Sequence, residues 1–271
     1  MAIRMPRSCR GAVVFLVLVA LGGCDGPRGG GRAGEGPGKR EQRLALSPQQ
    51  ELELGRQAYR EVLSNPQKYG RVVAADRPEV RRVREIAHRI VRASEIEPLQ
   101  REINLRQGYR YAWEINVLEK ADVNAFCLPG GKMVVFTGIL RVVQNDAQLA
   151  AVIAHEISHA LAHHGSERLA RDQTNKSGFG GFWAKSYDRE QESEADHIGV
   201  FLMTFAGYDP YEAVRFWERM EQASGGKGPP EILSDHPSNA HRIQALKVWA
   251  PKAVAAKRAL DEGNVAPRPG R

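Results

Sequence analysis

The stretch Gln148-Leu-Ala-Ala-Val-Ile-Ala-His155-Glu156-Ile-Ser-His159-Ala-Leu-Ala-His163 decides how this chain is read. Apolar Leu149, Val152, Ile153, Ile157 and Leu161 recur at helical spacing, which predicts a helix over 146–164 that buries one side. Inside it, His155-Glu156-Ile157-Ser158-His159 forms an H-E-x-x-H. Residues four apart share a helical face, so His155 and His159 can aim two imidazole nitrogens at one ion, while Glu156 projects beside them toward a water. A buried histidine or glutamate without a partner is costly, and one Zn2+ per chain would satisfy all three. The competing reading is an ordinary helix with solvated or hydrogen-bonded histidines; burial favours the metal.

A zinc site needs a third protein ligand. The run Tyr187-Asp-Arg-Glu-Gln-Glu192-Ser-Glu-Ala-Asp196-His-Ile-Gly199 offers Glu192 and Asp196 at i,i+4 spacing. Glu192 would complete a two-histidine, one-glutamate set with an open fourth position, and Asp196 would accept the second N–H of a ligating histidine, His155. Charge clusters are usually solvated faces. Here Ala195, Ile198, Val200 and Leu202 argue that the segment packs inward.

These two motifs, with Leu54-Gly55-Arg56, Asn124-Ala125-Phe126, Pro129-Gly130-Gly131, Ala206-Gly207-Tyr208-Asp209-Pro210, His236-Pro237 and Arg242, resemble the gluzincin zinc metallopeptidases of the HtpX, Oma1 and CAAX prenyl protease group, nearest its bacterial cell-envelope members. The resemblance spans about residues 47–250. It implies an endopeptidase acting on misfolded or misassembled envelope proteins. It also implies that His236 lies over the zinc cleft, stabilising the oxyanion or occupying zinc's open position at rest, with Arg242 as nearby support in the catalytic set. Asn124, Ala125 and Phe126 would form a sheet edge to which an extended substrate adds as a strand. From its residues alone, the loop at 229–242 is equally readable as a turn shaped by Pro237 before a helix capped by Asn239.

Arg4, Arg7 and Arg10 precede an apolar run over 12–21 that is too short to span a bilayer, and Leu21-Gly22-Gly23-Cys24 resembles a bacterial lipobox. The expectation is a lipoprotein signal peptide over 1–23, lipidation of Cys24, a Gly/Pro/Arg-rich tether over 24–46, a metallopeptidase domain over 47–250 and a tail over 251–271. That places the catalytic domain in the periplasm, held to a membrane of a bacterial cell envelope through Cys24. Losing the three arginines with the signal lowers the formal charge of +7 by three. No basic stripe with interleaved aromatics appears, so a nucleic-acid partner is not supported. Cys127 would be the single cysteine of the folded part, a structural thiol rather than a nucleophile paired with histidine.

The predicted architecture is α+β, a mostly helical zincin-type domain with a small β-sheet. Helices are expected at 47–63, 78–93, 138–143, 146–164, 189–206, 210–223 and 239–250, with strands at 111–117 and 132–136. The expected chemistry is peptide hydrolysis with Glu156 as base and then acid. Two other classes compete: a lipid-tethered chaperone or binding module whose zinc is structural because His236 closes the fourth position, and a zinc hydrolase of peptidoglycan or a small amide.

Overall fold

The computed structural model describes residues 41–102, 109–171, 186–223, 232, 236 and 240–264, all within the unit Gly31–Arg271. The expected signal peptide, Cys24 and most of the tether lie outside the described residues, as do Pro237 and Asn239.

Helix α1 (Pro48–Ser64) starts where its sequence says it should. Ser47 Oγ accepts from Gln50 N–H, and Gln50 Oε1 accepts from Ser47 N–H at 2.8 Å, so two of the free amides at the helix start are satisfied reciprocally. A short turn, α2 (Pro66–Tyr69), leads to strand β1 (Arg71–Val72), then to α3 (Pro78–Ser94) and α4 (Glu97–Glu102). Strands β2 (Glu114–Glu119), β3 (Ala125–Leu128) and β4 (Lys132–Phe136) complete a sheet ordered β1-β2-β4-β3. β2 runs parallel to β4, while β1 and β3 are antiparallel to their neighbours and form the two edges.

Every residue of β4 is buried, because helices cover both faces. Met133 and Val135 face the main core, which includes α3. Val134 and Phe136 face a second cluster with Ala58, Tyr59 and Val62 of α1. After the single-turn α5 (Thr137–Leu140) comes α6 (Asp146–Leu161), whose first amides are capped by Asn145. Its side chains from Gln148 to Leu161 are all buried, as befits a helix surrounded on all sides. Then follow α7 (His164–Arg171), α8 (Arg189–Phe205), α9 (Tyr211–Ala223) and α10 (Ala240–Asp261). Asp188 and Gln191 form a second capping box at the start of α8.

The α+β expectation holds, and several boundaries move. The strand expected at 111–117 is β2 at 114–119, because Tyr111 and Trp113 are stacked on each other at 5.0 Å just before it. α6 stops at Leu161 rather than 164, since His163 takes a left-handed φ of 56°. α10 runs through Pro251 to Asp261, well past 250.

Two motifs noted separately in the sequence meet here. A Cβ on Gly55 would lie 1.7 Å from the Pro129 carbonyl oxygen, and Gly130 (φ 71°) approaches Leu52 Cα. α1 therefore crosses the β3–β4 turn at a distance that only glycine allows, and its obstacle is backbone that cannot rotate away. Gly55→Ala should lower unfolding free energy by about 3 kcal/mol or more. Urea denaturation checks this; a loss below about 0.5 kcal/mol would show that the helix shifts freely.

Candidate metal centre

α6 and α8 cross with Gly199 against the backbone of His155; a Cβ there would sit 3.1 Å from His155 N. That closeness brings Glu192 of α8 onto the ligand face of α6. His155 Nε2 and His159 Nε2 are 3.1 Å apart, and Glu192 carboxylate oxygens lie 3.3 Å from the first and 3.5 Å from the second. His236 Nδ1 joins them, 3.2 Å from His155 Nε2 and 2.9 Å from Glu192 Oε1. All four residues are buried, with one ligand atom from each within 4.8 Å of the others. Ligands about 2.1 Å from a tetrahedral zinc stand about 3.4 Å apart, so the observed spacings fit the ion. The donor set, imidazole nitrogens with one carboxylate, is also zinc's.

Glu156 does not point into this set. Its Oε1 lies 3.3 Å from His236 Nε2, so His236 touches the ligand group with one nitrogen and the Glu156 carboxylate with the other.

Behind the ligands sits Arg242. Its Nε and Nη2 donate to the two Asp196 oxygens at 2.7 and 2.8 Å, and Nη1 lies 2.8 Å from Glu192 Oε2. Asp196 Oδ1 in turn lies 3.0 Å from His155 Nδ1. Trp217 of α9 closes the rear, with the guanidinium carbon 4.6 Å from its ring centre. Arg242 thus faces the buried carboxylates and the His236 carbonyl, a bracing position rather than one over the cleft.

Burial alone pushes His155 down, but hydrogen bonds with Asp196 and Glu192 outweigh it and lift the metal-free imidazole to about 9. Burial drives His159 well below its ordinary value. Glu192 and Asp196 are desolvated, which alone would raise them, yet His236 and Arg242 hold Glu192 well down and Arg242 lowers Asp196.

Asn124 and Ala125 are buried, and Asn124 Oδ1 accepts from Ala125 N–H at 2.8 Å. Phe126 is half-buried with its ring edge-on to Phe136. These side chains are engaged with the protein, so contact with a substrate would run through the backbone of β3, one of the two edge strands. Cys127, within the same strand, is buried, its thiol pushed well up by desolvation. With Pro129, His159 and Tyr187 it lines a cavity of about 10 Å³.

Trp217 and His164 of the site were not singled out in the sequence, and Tyr187 and Glu194 stood there only within the Glu192 run. Tyr187 stacks on His159 at 3.8 Å, with the Arg168 guanidinium carbon 4.6 Å from its ring centre. Trp217 packs edge-on to His155. His164 and Glu194 lie behind His159. The visible signal was a histidine five residues past His159 and a second acid inside the Glu192 motif.

A model of peptidase family M48 matches residues 87–250. The chain is 34% identical over 233 residues to "Mitochondrial metalloendopeptidase OMA1" of Schizosaccharomyces pombe, covering 78% of this chain and 64% of that protein. It is 32% identical over 227 residues to the protein of that name in Saccharomyces cerevisiae, covering 75% and 64%. To the "Beta-barrel assembly-enhancing protease" of Escherichia coli K12 it is 31% identical over 156 residues, covering 47% and 32%. The chain thus spans less than two thirds of the length of these relatives. The expected bacterial-envelope location, with a periplasmic catalytic domain, is corrected by this result: the longer and stronger likeness is to mitochondrial proteins rather than to the envelope member. Among the described residues no helix is long and apolar enough to cross a membrane.

The charge pattern sets a pH dependence for the metal-free protein. His155 binds its proton more tightly folded than unfolded, so its contribution to stability is complete below about 6.5 and is lost as pH rises through about 9. Glu192 and Asp196 contribute above their unfolded values and lose that contribution only toward acid. Chemical denaturation with chelator present should show stability declining from pH 6.5 to 9. With zinc in place of that proton the decline should vanish; a flat metal-free profile contradicts the charge assignment.

Proposed function

The chain belongs to peptidase family M48, and from that premise we propose that it is a zinc-dependent endopeptidase, holding one zinc per chain, that cleaves unfolded or misassembled proteins. The observation that carries this reading is the convergence of His155, His159 and Glu192 with Glu156 alongside but outside the ligand set. These three would hold the ion, which when bound supplies a Lewis acid and brings the pKa of water to about neutral. Glu156 is the group that takes the proton from the water and returns it to the leaving amine. Arg242 and Asp196 keep the ligand side chains aimed.

The edge position of β3 supports a substrate bound as an added strand. Backbone pairing of that kind demands extension and little sequence preference, which suits unfolded segments. The E. coli relative is named for assembly, and the proposed substrate class agrees with that name. Membrane attachment through a lipidated Cys24 is a further part of the proposal, supported by residues 21–24 alone.

His236 determines when the enzyme works. With Nδ1 among the ligands and Nε2 on Glu156, it covers the fourth position and the base together. Activity then requires His236 to withdraw, after which its imidazole is free to donate to the oxyanion. The same closed set favours one other reading, a binding module with structural zinc.

Glu156→Gln should keep zinc and lose casein turnover by roughly a hundredfold or more, whereas Glu192→Ala should lose zinc. Wild-type turnover by Glu156→Gln would rule out the peptidase reading. His236→Ala should speed zinc removal by phenanthroline and slow turnover by about ten- to a thousandfold. Unchanged chelation would eliminate the cover, and no turnover by the wild-type protein under any condition would leave the structural-zinc reading.

A further inference from the structure

The two histidines of the H-E-x-x-H are braced differently. His155 meets a carboxylate directly, at Asp196. His159 instead meets another histidine: its Nδ1 lies 2.8 Å from His164 Nδ1, and His164 Nε2 lies 3.0 Å from Glu194 Oε2. The three residues are buried, His159 and His164 almost completely.

A nitrogen-to-nitrogen contact of this length holds one proton, and the surrounding geometry decides whose it is. His159 Nε2 faces His155 Nε2 and Glu192, the metal side, so His159 must carry its proton on Nδ1 to offer Nε2 a lone pair. His164 then accepts at Nδ1, which leaves its own proton on Nε2, where the Glu194 carboxylate accepts it. One pair of tautomers satisfies every contact in the chain.

His164 is also held from both sides. Gln191 Nε2 of α8 donates to its carbonyl. The segment before α1 grips the turn around it: Gln42 Nε2 donates to the Ala162 carbonyl at 2.6 Å, Ala45 N–H to the Ser166 carbonyl and Leu46 N–H to Ser166 Oγ. Within α1, Glu51 Oε2 lies 2.8 Å from His163 Nδ1, next in the chain to His164. These contacts fix the backbone that carries His164.

We propose that His164 is a positioning residue for the metal centre, fixing His159 in the tautomer and ring orientation that present Nε2 to zinc, with Glu194 anchoring the chain. The inference rests on the zinc reading of the site but not on peptidase activity.

The test measures zinc affinity of the full chain by competition with a chelator, without substrate. His164→Leu and His164→Ala remove the acceptor for His159 Nδ1–H and should weaken zinc binding about 10- to 100-fold. His164→Asn places a carbonyl oxygen near the lost Nδ1 and should stay within about threefold of wild type. A space-filling role predicts the reverse order, with Leu better than Asn; that order, or wild-type affinity in His164→Ala, overturns the proposal. A long-range proton–nitrogen NMR spectrum of the zinc-loaded wild-type chain gives a second answer that no variant's folding can obscure. His164 should show an unprotonated Nδ1 and a protonated Nε2, and a protonated His164 Nδ1, which could not accept from His159, refutes the assignment. Absence of casein turnover would sink the endopeptidase reading while leaving both measurements valid.

Discussion

The structure depends on one constraint: ionisable groups crowded into the crossing of α6 and α8 must neutralise one another or bind a cation. His155, Glu156, His159, Glu192 and Asp196 are each no more than 3% exposed. Arg242 supplies the fixed positive charge, reaching Asp196 with two nitrogens and Glu192 with a third. Removing one partner from such a set leaves a buried charge uncompensated, which typically costs about 3–5 kcal/mol. Zinc binding is the natural completion of the remaining charge pattern, because it replaces protons that the imidazoles would otherwise hold.

Packing serves that constraint. Gly199 lets α8 approach the backbone at His155 closely enough for a glutamate to share an ion with two histidines. From Gln148 to Leu161 α6 is buried, fixed by α3, α8 and α9 around it and by the sheet beneath. On the opposite face of the sheet, α1 locks over the Pro129 turn at Gly55 and sends Glu51 to His163. The N-terminal part of the fold thus reaches the turn just after the zinc helix, although it lies outside the segment 87–250 matched by the family model.

Much of this was legible in the sequence, and the reason is local periodicity. The i,i+4 spacing of His155 with His159 and of Glu192 with Asp196 can be read without knowing the fold, as can the capping signals at Ser47 and the apolar period of α3. Other features need the tertiary arrangement. His164 and Glu194 are thirty residues apart and pair only because α7 and α8 pack together. Tyr187 stands only at the start of the acidic run in the sequence, yet its ring covers a ligand. The halt of α6 at Leu161 depends on a left-handed His163 held by Glu51, a partner 112 residues away. Extension of α10 through Pro251 defied the proline rule where Pro251 and, four residues earlier, Lys247 are exposed, so that the Lys247 carbonyl left without a donor can be solvated. Location was the weakest reading, because a lipobox-like tetrapeptide carries little information and the relatives point elsewhere.

The central claim is that three imidazoles and one carboxylate, with no sulfur, surround a single ion. X-ray absorption at the zinc edge of the resting, zinc-loaded chain tests it most directly. The account predicts one zinc with four nitrogen or oxygen neighbours at about 2.0–2.1 Å and the scattering signature of three imidazole rings. A sulfur neighbour at about 2.3 Å would bring in Cys127 and contradict the site, and fewer than two imidazoles would remove its foundation.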